Sequence, residues 1–191
     1  MPFSSYRPAD QALPANSSDR RAEILRRYAV LDTQAEAAFD AIVAEAADAL
    51  GTPMALVSLI DRHRQWFKAR RGIDLQETAL DVSICAKAIE FDGVFVVPDT
   101  ALDPRVNANP FVYGEPHIGF YAGAPLVSDG VPLGMVCVLD TVSRPGGITD
   151  DQRRVLERLA QRAMALLESR RVDAGNGGGA GPTPDQRDAS A

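Results

Sequence analysis

The chain has 191 residues, 46% of them apolar, which suits one well-buried core and excludes a disordered chain of low hydrophobicity. Its 26 acidic against 20 basic residues give a formal charge of −6, whose field repels phosphate and argues against nucleic acid or an anionic membrane as a general partner. Two cysteines, no apolar leader segment near the start and no run of the roughly 20 apolar residues that span a bilayer leave no sign of a disulfide framework, a secretory signal or a membrane anchor, so the cytoplasm is the expected compartment.

Residues 1–19 are rich in Pro, Ser and Ala without an apolar period and read as a flexible arm. Ile24, Leu25, Tyr28 and Leu31 then recur at the spacing of a helix face. A second helix is predicted from the stripe Phe39, Ile42, Val43, Ala46 and Leu50, opened by a capping box of Thr33 and Glu36 and stopped by Gly51 and Pro53. MALVSLI is the pattern of a strand covered on both faces; DRHR reads as a turn, QWFKA as the next strand, and RRGIDLQET has no clear period. DVSICAKAIEFDG predicts a helix of about two turns capped by Asp81 or Ser83, and VFVV a short strand closed by Pro98.

Residues 99–117 form the longest irregular connection, a length that in compact domains usually serves function. FYAGAPLV and PLGMVCVLD predict a hairpin across Ser128, Asp129 and Gly130, with Leu133, Met135, Cys137 and Leu139 on one face of the second strand and Val136 and Val138 on the other. The last helix opens with a capping box of Thr149 and Gln152 and carries Val155, Leu156, Leu159, Ala163, Leu166 and Leu167 inward. The Gly-rich residues 173–191 offer nothing to bury and are expected to be disordered. The order of periods predicts an α+β domain over residues 20–172, with an antiparallel sheet between helices and loops.

YAVLDTQAEAAFD, ALVSLIDRHRQWFKARRGID, DVSICAKAI, VVPDTALDPRVNANPFV, PHIGFYAGAPL and LGMVCVLD together resemble the GAF sensor domains found with bacterial histidine kinases and diguanylate cyclases, from about Glu23 to Arg170. The resemblance implies terminal helices on one face of a central antiparallel sheet, and on the other a ligand pocket roofed by a short helix and the long loop. It also implies a homodimer built by the terminal helices. Lys87 stands where relatives often have histidine, and Gly119 where they often have arginine. Bilin-binding relatives commonly use a Cys-His pair, whereas Cys85 precedes Ala86; the Asn-Lys-Phe-Asp-Glu set of cyclic-nucleotide relatives is absent. No cofactor is therefore assigned.

Cys85 and Lys87 lie two apart and so on nearly opposite sides of a helix; Cys85 aligns with Ala88 and Ile89, and Lys87 with Glu90. Cys85 reads first as a small hydrophobe, as does Cys137 in mid-strand, unless the two sulfurs meet. His63 falls in a turn and His117 near the candidate pocket, and the scattered thiols and imidazoles show no metal-ligand spacing. Trp66, Phe67, Asp99, Arg105, Asn109, His117 and Tyr121, with Cys85 beside them, form the candidate ligand-binding set, an aromatic wall with a few polar groups. Arg105 has two readings, a ligand carboxylate or Asp99 and Asp103 in its own loop.

The expected function is a stand-alone sensor that binds a small molecule and signals to a separate histidine kinase or cyclase output protein. Two alternatives stand beside it. The free methionine sulfoxide reductases share the fold and use cysteines in relay, which suggests a thiol enzyme; a ligand-free dimeric docking module is the other.

Overall fold

The computed structural model describes residues 17–176 and the side chains of residues 17–170. Helices α1 (Ser17–Tyr28) and α2 (Ala37–Leu50) precede strands β1 (Met54–Ile60), β2 (Arg64–Arg71) and β3 (Glu77–Ala79). A 3-10 turn, Leu80–Val82, leads into α3 (Ile84–Ala88); β4 (Phe95–Val97), α4 (Pro110–Tyr113), β5 (Phe120–Ser128), β6 (Val131–Asp140) and α5 (Asp150–Asn176) follow. The six strands form one antiparallel sheet in the order β3-β2-β1-β6-β5-β4. The fold is α+β.

The sheet is covered on both sides because its two central strands have no polar face: β1 and β6 are buried at every position. On one side Ile24, Leu25 and Tyr28 of α1, the expected stripe of α2, and Leu156, Leu159, Ala163 and Leu167 of α5 pack on Ala55, Val57, Leu59, Val136 and Val138. On the other, Ile84, Cys85 and Ala88 of α3, with Phe91, Val106 and Ile118, pack on Leu56, Tyr121, Met135, Cys137 and Leu139. Gly51 ends α2 in the left-handed region, φ 61°, and Asp129 and Gly130 turn the β5–β6 hairpin with φ of 50° and 72°. Gly134 is required where β6 crosses β1, since a Cβ there would stand 1.9 Å from the Ser58 carbonyl oxygen.

Several expectations are corrected. Thr33 and Glu36 form no capping box: Glu36 is the N-cap without a side-chain cap bond, and Thr33 donates to the Val30 carbonyl at 2.6 Å. Both are occupied by Lys68, whose buried Nζ donates to Thr33 Oγ1 (2.8 Å), the Gln34 carbonyl (2.7 Å) and Glu36 Oε1 (2.5 Å). Lys68 reaches the helices because the β1–β2 register shifts between Val57 and Ser58, leaving it as the extra residue of a bulge. A like shift in β5–β6 turns Leu133 to the helix side, away from Met135, Cys137 and Leu139.

The unpatterned stretch after β2 contains β3, and the long loop contains α4, each invisible to periodicity at three and four residues. α3 has five residues and not two full turns, although Ser83 caps it by accepting from the Ala86 N–H at 2.9 Å. The Thr149–Gln152 box forms as expected, with reciprocal bonds of 3.0 and 3.2 Å. α1 begins at Ser17 and α5 runs to Asn176, so helix extends into both expected flexible segments; the rest of each, residues 1–16 and 177–191, lies outside the described residues.

Glu36 also accepts from Arg170 of α5, so one carboxylate joins α2, β2 and α5. Partial burial raises its carboxyl pKa, and the bonds and charges of Lys68 and Arg170 outweigh that, holding it below the ordinary value. A depressed folded-state pKa contributes stability above the unfolded value, and that contribution is lost as pH falls through the folded one. Glu36→Gln is expected to cost about 2 kcal/mol at neutral pH, less than breaking a fully buried pair because Lys68 keeps two other acceptors. The difference from wild type should shrink as pH drops below about 4 in urea unfolding followed by circular dichroism. Gly134→Ala should cost at least about 2 kcal/mol in the same assay, since backbone and not a side chain must move.

Candidate functional site

The side of the sheet away from the terminal helices carries a roof. α3 supplies Ile84 and Cys85, α4 supplies Phe111, and the following loop supplies Pro116 and Ile118. Beneath them Leu56 of β1, Phe67 of β2, Tyr121 of β5 and Leu139 of β6 form the floor of a partly open cavity of about 60 Å³ whose walls are almost wholly apolar. Leu75, half exposed, stands at its edge. A second hollow of about 320 Å³ lies outside the roof, lined by Asp81, Lys87, Glu90, Arg105 and Asn109, and Ile84 borders both spaces.

Of the eight candidate residues, Phe67, Cys85 and Tyr121 meet at the inner cavity. Arg105 and Asn109 border the outer hollow, where both are engaged in holding the loop. Arg105 donates through Nε to Asp103 at 2.8 Å and through Nη2 to the Val96 carbonyl at 3.0 Å, while its guanidinium lies 4.4 Å from the centre of the Phe95 ring. Burial works to raise the Asp103 carboxyl, and the hydrogen bonds and charge of Arg105 overcome this and hold it below the usual carboxylate range. Asn109 caps α4, accepting from the Phe111 N–H at 2.9 Å, and donates to the Val82 carbonyl at 2.9 Å, which ties the loop to the roof helix.

The other three candidates lie elsewhere. Trp66 pairs with Leu59 and faces the terminal helices; adjacent strand residues project to opposite faces, so Trp66 and Phe67 cannot share a wall. Asp99 accepts from the Ala101 and Leu102 N–H groups at 3.0 and 3.3 Å and shapes the start of the loop. His117 has φ 58° and a side chain 57% exposed, beside Glu115 at 3.8 Å, so it points away from the cavity. His63 is exposed in its turn and Lys87 pairs with Glu90 at 2.5 Å.

Cys85 is buried, and its sulfur lies 3.6 Å from that of Cys137, which stands behind it in β6. The Tyr121 hydroxyl donates to Cys85 Sγ at 3.2 Å. Gly123 leaves room for this contact, since a Cβ there would stand 2.9 Å from that hydroxyl and 2.9 Å from Cys137 Cβ. Desolvation pushes the Cys85 thiol up, but hydrogen bonding with Cys137, Ser58, Tyr121 and Gln65 outweighs it and brings the group below its ordinary value. Burial and the neighbouring Cys85 push Cys137 well above its own, and burial with the two sulfurs does the same to Tyr121. Ser83 Oγ donates to Gln65 Oε1, which also accepts from Thr78 at 3.4 Å, so a polar island lies against the apolar cavity. The sequence reading missed Ser58 and Gln65; a serine inside the apolar run MALVSLI was the available signal.

Among the described residues, no group of three or more His, Cys, Asp or Glu side chains is placed to hold a metal ion, and no helix is long and apolar enough to cross a membrane.

Comparison with known proteins agrees with this architecture. The chain is 41% identical over 159 residues to the cyclic di-GMP phosphodiesterase PA2567 of Pseudomonas aeruginosa; the match takes in 83% of this chain and 27% of that protein. Among solved structures, the GAF domain of a phosphoenolpyruvate-protein phosphotransferase from Coxiella burnetii superposes with a TM-score of 0.60 at 17% identity, covering 83% of this chain and 98% of that one. The free methionine-R-sulfoxide reductase of Neisseria meningitidis gives 0.58 at 16%, covering 91% and 98%. Identities this low show a shared fold and nothing of shared chemistry. The GAF domain family matches residues 34–167, most of the sheet and its helices, and the chain belongs to that family.

Proposed function

We propose that this GAF domain is a regulatory sensor whose input is a small molecule received between sheet and roof. The apolar cavity beneath α3 and α4 is the observation that supports this reading. With about 60 Å³ of space it suits a ligand of few heavy atoms, apolar at its centre, and a larger ligand has to lift the roof. The roof is tied to the sheet by the Ser83 bond to Gln65, the Tyr121 bond to Cys85 and the Arg105 clamp on Val96, while the Asn109 bond to Val82 joins the loop to the roof helix. Movement there reaches β1 and β6, on which α3 packs, and the opposite side of β6 carries α1 and α5. A ligand that binds one roof position better than another therefore biases the terminal helices. We assign to those helices a homodimer contact, and to the domain an output in a separate signalling protein of the kinase or cyclase kind, acting in the cytoplasm. The similarity to one region of a cyclic di-GMP phosphodiesterase supports an output in cyclic-dinucleotide signalling.

Thermal-shift screening of small metabolites, with calorimetric titration of any hit, tests the input. A true ligand at a hundred times its Kd stabilises the protein by about 2.7 kcal/mol. Leu56→Phe, which fills the cavity at an overpacking cost of about 1–3 kcal/mol, should abolish that shift. Absence of any stabilising compound at millimolar concentration would overturn the reading. Arg105→Ala should cost about 1–3 kcal/mol and raise hydrogen exchange across residues 99–117 before it affects the terminal helices.

A further inference from the structure

The geometry points to Cys85 and Cys137 as a reactive dithiol that hydroperoxides oxidise to a disulfide, with Cys85 attacking and Cys137 resolving. This goes beyond the sensor reading and does not depend on a metabolite. The two sulfurs belong to residues 52 positions apart, one on the roof helix and one in the central strand, yet lie 3.6 Å from each other. A disulfide requires about 2.05 Å, so the two sulfurs have to close by roughly 1.5 Å.

The pair is asymmetric. Cys85 lines the cavity and Cys137 does not, so a small reagent entering past Leu75 meets Cys85 first. The Tyr121 hydroxyl is aimed at the Cys85 sulfur and favours its thiolate, whereas Cys137 is held as the thiol. The apolar walls admit hydrogen peroxide or a short alkyl hydroperoxide and give a larger or charged oxidant no place to bind.

The chemistry balances with that oxidant alone. The Cys85 thiolate attacks one peroxide oxygen, the O–O bond breaks, and the leaving hydroxide or alkoxide takes the proton that Cys85 gave up, departing as water or an alcohol. Cys85 is then a sulfenic acid. Cys137 attacks its sulfur, the S–O bond breaks, and hydroxide leaves with the Cys137 proton as a second product, water. Two thiols have lost two electrons and two protons, and the peroxide has gained them. The new bond ties the roof helix to β6, the strand that borders the terminal helices.

The full chain, reduced and desalted, is treated with hydrogen peroxide and examined by intact mass and by peptide mapping without reductant. The expected result is loss of the mass of two hydrogens per chain, with a Cys85–Cys137 linked peptide that dithiothreitol reverses. Cys137→Ser should instead accumulate a sulfenic acid on Cys85 that dimedone captures, and Cys85→Ser should leave Cys137 reduced. Tyr121→Phe, checked for folding by circular dichroism, should oxidise several-fold more slowly and shift the pH profile of the reaction upward. The proposal is overturned if the wild-type chain keeps both thiols under millimolar peroxide while the same chain in denaturant reacts. Linkage found solely between chains, or oxidation of Cys85 to sulfinic acid with Cys137 left free, overturns it equally.

Discussion

The sheet is closed by apolar packing on both faces, and the rest of the molecule is arranged around that constraint. β1 and β6 have no exposed position, so every polar group on them has to find its partner inside the protein. Ser58 meets this by donating to the Met135 carbonyl at 3.4 Å, and Gly134 lets β6 approach β1 closely enough for pairing to continue. Two layers then divide the work. The face carrying α1, α2 and α5 is a packed apolar core, whereas the other is roofed by a five-residue helix, a four-residue helix and irregular chain, which leave the cavity.

Buried polar side chains sit at the joints between these layers. Lys68 crosses from β2 to the start of α2, where Glu36 brings in Arg170 of α5, so an ionic junction fixes α2 and α5 to β2. On the roofed side, Gln65, Ser83, Tyr121 and the two cysteines form a smaller network that joins the sheet to the roof helix, Cys137 through its 3.6 Å contact with Cys85. A charged group on that side, Arg105, is spent on Asp103 and the aromatic rings beneath it. The loop is thereby held by its own residues, and the inner space stays apolar.

β6 is the physical link between the two faces. Cys137 and Met135 point to the roof while Val136 and Val138 point to the helices, so a displacement of the roof against Cys137 is felt one residue away by the core that α5 packs on. Packed interiors transmit such strain because they have few voids to absorb it.

Patterns with many repeats were legible in the sequence. The stripe of α2, the doubly covered strands, the β5–β6 hairpin and the Thr149 cap are local or periodic, and each depends on residues within a few positions of one another. Of the candidate set, Phe67, Cys85 and Tyr121 line the cavity, Phe67 and Tyr121 from well-patterned strands and Cys85 from the roof helix. Lys68 and Leu133 were not placed, since a single bulged residue inverts the alternation and a bulge leaves no local mark, whereas Trp66 and Phe67 are regular neighbours that alternation alone assigns to opposite faces. Thr33 and Glu36 matched a cap locally, but a lysine more than thirty positions away made the better partner for both. The sequence by itself determined the longer helices and strands and that the sheet has two apolar faces, because those follow from the spacing of side chains along one chain. Only the tertiary structure decided that the sulfurs of Cys85 and Cys137 share a site and that His117 does not, because proximity across 52 residues depends on strand register and roof packing, which no local period records.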